Sequence, residues 1–481
     1  MNVVVIVIDT LRADHLSCYG YERETSPEID RFAETAVLFE QAICPAPWTM
    51  SSTSSLLSSL YPLTHGLYHA SANRPLPESI VTLPEALGDD WVTGGFVAND
   101  LLAPETRINQ GFDTYELVTT PHRPDPHADA ADKVNGRALP WIRDNRDERF
   151  FLYLHYMDPH DPYTDPAEHH REFDPDYTGS FNGHIGHYFK TMAQERRRRP
   201  WPIEERDLEN MIARYDGEIR YVDAYVREVL DELATLGLDD RTIVVITADH
   251  GEQFLEHGGL KHGTSIYQEE VRVPLLVHVP GVTTKPRRVP TPVATLDLYP
   301  TLLDLVDIEA PPELDGKSLA DAIRAAGSAL PAREVRTETS HGWNWAADGS
   351  LVRNKSWIGA VIRDNQKMIA TVDDEVSAPD ELYDLASDPG ETKNLASDDA
   401  ERTTELRGAV ESYKARSEER HVHGTQFSPE DRERMAERLR KLGYIDDSPK
   451  KNKDDEKKQD DADKTDEKSD ASGNGSQGDS K

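Results

Sequence analysis

Asn2 to Ile8 reads NVVVIVI, six β-branched residues in a row after the asparagine, and Asp9 ends the run. Such a run fits a strand buried on both faces, as in a parallel sheet covered by helices. FFLYLHYMD from Phe150, TIVVITAD from Thr242 and PLLVHVPG from Pro274 follow the same plan. TLPEALGDDWVTGGFVAND reads as helix, then strand. Glu204 to Leu236 reads as a long amphipathic helix with Ile212, Tyr215, Ile219, Val222, Val226 and Leu230 on one stripe. Strands alternating with helices at this spacing predict an α/β fold with a mostly parallel central sheet flanked by helices.

In such sheets ligands gather beyond the carboxyl ends of the strands. Asp9, Asn99, Asp158 with His160, and Asp249 with His250 each stand at the C-terminal end of a separate predicted strand. Chance accounts for an acid at one or two of these ends. Four ends carrying ligand-type residues point to one shared site.

PWTMSSTSSLLSSLYPLTHG, Pro47 to Gly66, adds a hydroxyl to that set. Thr49 stands at the head of a helix pattern, where a side-chain oxygen is a natural N-cap. The same place suits a nucleophile, because backbone dipoles at a helix N-terminus favour an anionic group such as phosphate or sulfate. Two further caps are expected, Ser26 ahead of a helix from Pro27 to about Thr35, and Asp297 ahead of LYPTLLDLV.

The chain has 481 residues and a net charge of −35, which argues against a nucleic-acid partner, since duplex affinity is built from cationic side chains. Lys is scarce before residue 449 while Arg is common, a bias that fits adaptation to high salt. Cys18 and Cys44 make no disulfide framework and at most one bond. No apolar run is long enough to span a bilayer and no basic segment precedes NVVVIVID, so a cytoplasmic enzyme is expected.

The expected domains are a catalytic α/β domain over 1–330, an antiparallel-sheet subdomain over 331–400, a helical segment over 401–446 and a disordered charged tail over 447–481. The subdomain follows from REVRTETS and SWIGAVIRDNQKMIATV, the latter turning at Asp364-Asn365. Thr164 to Pro202 is an irregular insertion. Its run Arg196 to Arg199 reads either as a solvated loop or as a device that steers an anionic substrate.

VVVIVIDTLRADHLSCYGY, SLYPLTHG, FFLYLHYMDPHDPY, VVITADHGEQFLEHGGLKHGTSIYQEEVRVPLLVHVPG and ELYDLASDPGETKNLA, taken in order, resemble the sulfatase family of the alkaline phosphatase superfamily. The resemblance implies one divalent metal held by Asp9, Asp249 and His250, calcium first, with manganese or magnesium as alternatives. The residue types agree, since carboxylates suit hard cations and an imidazole moves the balance toward manganese or zinc. It also implies that His262, with Lys261 beside it, contacts the transferred group, and that His160 faces the leaving group. Arg12 and Asn99 are candidates for holding substrate oxygens; Asp14 reads as a loop hydrogen bonder.

The chain departs from the family pattern in three places. Asp9 is followed by Thr10 where a second acid is common, and GGFVAND stands where many sulfatases carry a Lys-Trp-His motif, with Asn99 as the substitute. Counting back from Tyr61-Pro62 puts Thr49 where the family has the Cys or Ser that becomes formylglycine, with Ser51 and Thr53 in place of the following Pro and Arg. Formylglycine is therefore not expected, and Cys44, the nearest thiol, lacks that pattern.

The resemblance implies metal-dependent hydrolysis of a small-molecule or glycan sulfuric ester, with attack by a metal-bound Thr49 hydroxyl. A phosphodiesterase, phosphomonoesterase or phosphoglycerol-type transferase is the alternative, since water cleaves a phospho-threonine more readily than a sulfo-threonine. A non-catalytic anion- or glycan-binding protein is the third reading.

Overall fold

In a computed structural model, the described residues are 1–441 apart from 69–73, 119–129, 165, 187, 189–200, 326–329, 341, 346–350, 355–356 and 373–377. The Arg196 to Arg199 run and the 447–481 tail lie outside them. Asn2–Ile8 is buried along its whole length. It pairs in parallel with Phe150–Tyr156 on one side and Thr242–Thr247 on the other. Val92–Val97 and then Thr114–Leu117 extend the parallel set beyond Phe150–Tyr156. Beyond Thr242–Thr247, Leu275–His278 runs antiparallel, followed by Val37–Phe39 and Arg287–Val289, which close an eight-stranded sheet. An antiparallel neighbour needs no crossover helix, so the connection from 248 to 274 is free to serve the site.

The helix Glu205–Thr235 covers part of the sheet, packing with Ala130–Asp144 and Pro27–Ala33. Tyr215, Ile219, Val222 and Val226 of the expected stripe are buried, and Val229 and Leu233 continue it; Ile212 and Leu230 are half-buried. Ser26 and Asp297 stand at the expected N-cap positions, but neither side chain caps its helix. Asp223, from the long helix, accepts the Glu28 and Ile29 amides at 2.9 and 2.8 Å, and the Ser26 hydroxyl turns to Asp30. The Asp297 carboxylate takes the Ala294 and Lys317 amides and Arg333 instead of its own helix. A charged carboxylate makes the stronger bonds and takes both amides at once, so Asp223, reached through the tertiary fold, serves the helix end in place of the Ser26 hydroxyl.

A second, antiparallel sheet holds Glu334–Thr339, Ile358–Arg363, Gln366–Thr371 and Glu381–Asp384. Asp364 and Asn365 have φ of 54° and 61°, the left-handed pair that a two-residue hairpin turn requires. Both sheets belong to one compact unit, residues 1–432. Where the second sheet meets the 251–271 segment stands a fully buried ion pair, Lys367 Nζ to Glu391 Oε1 at 2.7 Å. Lys367 also donates to the Ile266 carbonyl, while Glu391 takes the Gln268 amide at 2.6 Å. Lys367→Ala strands a buried carboxylate and should cost about 3–5 kcal/mol in urea unfolding, whereas the pair Lys367→Met with Glu391→Gln should recover most of it. Equal losses in the two proteins would show that packing, not charge pairing, holds this contact together. Among the described residues no helix is long and apolar enough to cross a membrane.

Candidate active site

The parallel strands deliver their C-terminal residues to one edge of the sheet. Asp9 follows Ile8 directly, its amide on the Tyr156 carbonyl at 3.0 Å. Thr10 then takes a φ of 56°, a strained value for a β-branched residue. Two bonds fix it: Tyr215 donates its hydroxyl to the Thr10 carbonyl at 2.7 Å, and the Thr10 amide donates to Asp249 Oδ1 at 3.3 Å. After Asp249 and His250 the chain passes so near its own return that a Cβ on Gly251 would lie 2.1 Å from the Glu269 carbonyl oxygen. Only glycine allows that approach.

Asp9, Asp249 and His250 are buried, and one ligand atom from each lies within 4.8 Å of the others. Nδ1 of His250 donates to the Gly251 carbonyl at 3.0 Å, which leaves the lone pair on Nε2. Nε2 stands 3.6 Å from Asp9 Oδ1 and 3.5 Å from Asp249 Oδ2, two carboxylate oxygens that are buried with no hydrogen-bond partner. Burial, together with the charge of Asp249, pushes the Asp9 carboxyl well above the ordinary range. Two orphaned carboxylate oxygens facing an imidazole lone pair fit a divalent cation, which would supply the missing partner and relieve the repulsion.

Thr49 begins the helix Thr49–Ser58 as its first helical residue; the N-cap position belongs to Trp48, and no side chain caps the turn. This corrects the cap reading. Thr49 Oγ1 instead donates to His250 Nε2 at 3.2 Å and accepts from Asn99 Nδ2 at 3.3 Å. Asn99 is held the right way round because its Oδ1 accepts the Leu101 amide at 2.8 Å, and its Nδ2 also reaches Asp9 Oδ2 at 2.6 Å. Ser52 Oγ, one turn along, donates to the Asp249 carbonyl at 2.6 Å and pins the helix to the strand end.

Three histidines cluster in a row with their rings tilted or edge-on to one another. The His262 ring lies 4.3 Å from that of His250 and 5.0 Å from that of His160, centroid to centroid. His262 Nδ1 meets Glu252 Oε1 at 3.1 Å. Burial lowers the His262 pKa and pushes the Glu252 carboxyl up to about 8, so both shifts favour a neutral pair with the carboxyl proton donated to Nδ1. His160 donates Nδ1–H to the Asp161 carbonyl at 2.6 Å, and burial lowers its pKa too.

Lys261 and Arg12 are engaged elsewhere. Lys261 pairs with Asp161 at 2.9 Å. Arg12 binds Asp14 through two bonds, Glu256, and the Glu252 carbonyl at 3.0 Å. Cys44 is buried with its thiol pushed up by burial, and Cys18 and Cys44 are both free. Glu252 and His155 were not singled out from the sequence. The glutamate follows the DHG triplet, and the histidine interrupts an apolar strand; those were the available signals.

Together these features define an α/β protein with a carboxylate, imidazole and hydroxyl cluster at its strand ends. Residues 1–308 match the family model described as Sulfatase, and residues 256–415 match one described as N-sulphoglucosamine sulphohydrolase, C-terminal. The chain belongs to the sulfatase family. Arylsulfatase K of Mus musculus is 30% identical over 250 residues, covering 46% of this chain and 44% of that protein. An ulvan-active sulfatase of Formosa agariphila is 24% identical over 348 residues, covering 67% of this chain and 65% of that one. The chain spans about half the length of the first curated relatives it matches. A putative sulfatase from Bacteroides thetaiotaomicron shares the fold with a TM-score of 0.69 at 24% identity, covering 90% of this chain and 96% of that one. A phosphonate monoester hydrolase of Agrobacterium radiobacter shares it with a TM-score of 0.67 at 19% identity, covering 86% and 96%.

Proposed function

We propose that this protein hydrolyses sulfuric esters, with Thr49 as the nucleophile and a divalent cation on Asp9, Asp249 and His250. The observation that carries the reading is the Thr49 hydroxyl, within hydrogen-bond distance of both His250 and Asn99 at the edge of the orphaned carboxylates. A bound cation supplies a Lewis acid that lowers the hydroxyl pKa and offsets charge on the sulfuryl oxygens. Asn99 fixes the direction of Oγ1. In the first step the Oγ1–S bond forms and the S–O bond to the alcohol breaks; in the second, water cleaves the threonine ester. The Thr49 proton passes to solvent as Oγ1 attacks, and His160, on the leaving-group side with Nδ1–H held by the Asp161 carbonyl, delivers a proton from Nε2 to the departing oxygen. His262, kept neutral with Glu252, offers a hydrogen bond to the transferred group. Arg12 and Lys261, neutralised by their carboxylate partners, act by holding the loops that carry His262 and Asp14.

The names of the relatives suggest an aryl or glycan sulfate as substrate. Calcium is the first cation to try, then manganese and magnesium; the acidic composition supports high salt as the working condition, and the cytoplasm is the proposed compartment. Phosphoric or phosphonic ester hydrolysis is the second reading. Thr49 favours it, because a threonine ester of phosphate is open to attack by water while a formylglycine adduct of sulfate can collapse without it. Purified protein given each cation should release 4-nitrophenol from 4-nitrophenyl sulfate. Turnover confined to bis(4-nitrophenyl) phosphate or a phosphonate ester would establish the second reading, and no turnover of any ester would sink both.

A further inference from the structure

His155 is out of character with its strand. It is fully buried within FFLYLHY, and neither ring nitrogen has a hydrogen-bond partner. An unsatisfied buried polar group costs on the order of 1–3 kcal/mol, which a valine at the same place would not incur. The register explains where the imidazole stands. Val7 pairs with His155 on one side and with Thr247 on the other, and Val97 also pairs with His155. Residues two apart share a face, so Thr247, Val7, His155 and Val97 form a row one layer beneath Asp249, Asp9 and Asn99. Asp249 reaches down toward that row. Its Oδ1 is taken by the His250 amide at 2.9 Å and the Thr10 amide at 3.3 Å. Its Oδ2 lies 3.5 Å from His155 Nε2 and 3.5 Å from His250 Nε2.

We propose that His155 is a positioning residue of the cation site, whose Nε2–H holds Oδ2 of Asp249 from beneath and aims that carboxylate at the ion. The inference rests on the reading of Asp9, Asp249 and His250 as ligands. His155 is not a fourth ligand: among the described residues only those three bring ligand atoms within 4.8 Å of one another. The gap of 3.5 Å closes to a hydrogen bond with a shift of a few tenths of an ångström. Partners behind metal ligands fix ligand orientation and basicity, and losing one typically weakens metal binding about 10–100-fold.

The test is calorimetric titration of the full-length protein with Mn²⁺. His155→Leu should weaken binding about 10–100-fold. His155→Gln, whose amide nitrogen falls near the place of Nε2, should restore most of it. The melting temperature of the cation-free Leu variant should equal or exceed that of the parent, because an unsatisfied polar group has gone. If His155→Leu does not fold, His155→Phe takes its place. Unchanged Mn²⁺ affinity in the apolar variant, or equal weakening in the Gln and apolar variants, would overturn the proposal. A parent protein that binds none of Mn²⁺, Ca²⁺ and Mg²⁺ would overturn the ligand reading and this inference with it.

Discussion

Thr49→Ala should lower kcat/KM on the ester the parent turns over by about 10³–10⁵, while leaving the melting temperature within about 2 °C. On the proposed role the kinetic loss follows from removing the attacking atom, since among the described residues no other hydroxyl meets both His250 and Asn99. Such a factor corresponds to about 4–7 kcal/mol of transition-state stabilisation. The small thermal effect follows from the backbone. Thr49 is the first helical residue and its Oγ1 caps nothing, so the substitution removes no helix-end bond. A residue acting only as a cap would behave in the opposite way, with a loss of about 1 kcal/mol in stability and unchanged turnover. Thr49→Ser keeps the oxygen and should retain most of the activity. Rates of 4-nitrophenol release and a thermal melt, made on the same three proteins, decide between the two roles. Full turnover by Thr49→Ala would remove the nucleophile.

The positions of the site residues were legible in the sequence because a parallel sheet converts chain order into place. An apolar strand ending in a polar residue delivers that residue to the carboxyl edge, and the placing of Asp9, Asn99 and Asp249 needed nothing more. The hairpin at Asp364-Asn365 was legible for a local reason, two residues that tolerate the left-handed region. Caps were not legible. Whether Ser26 or Asp223 serves the helix from Pro27 depends on an acid 195 residues away, and no local rule weighs that competition. The same holds for charge. Arg12 and Lys261 look from the sequence like cations placed for an anion, yet Asp14, Glu256 and Asp161 reach them first. The meaning of His155 is not legible locally because it lies in Asp249, far along the chain and two strands away in the sheet. Long-range pairing of polar side chains, not secondary structure, is what the sequence withheld.

Asp249→Asn should separate activity from stability in opposite directions. The amide is isosteric, and its Oδ1 can still accept the His250 and Thr10 amides, so the local backbone is kept. Its second atom becomes an NH₂ where Oδ2 faced His250 Nε2 at 3.5 Å. That atom cannot ligate a cation through a lone pair, so Mn²⁺ or Ca²⁺ affinity should fall at least 100-fold and turnover about 10³-fold or more. Without cation, however, the variant should be the more stable protein. Burial first and the charge of Asp249 second push the Asp9 carboxyl upward, so the substitution relieves repulsion between two buried carboxylates, a gain that has to exceed the loss of the charge that His250 and His155 favour on Asp249. Adding cation reverses the order. A ligand at 100 times its Kd stabilises the parent by about 2.7 kcal/mol, and the variant gains nothing at that concentration. Thermal melts of both proteins with EDTA and with excess Mn²⁺ should therefore cross: variant above parent in EDTA, parent above variant in Mn²⁺. Parallel responses to the ion would mean that Asp249 is not a ligand, and a variant less stable in EDTA would mean that the two carboxylates do not repel in the folded protein.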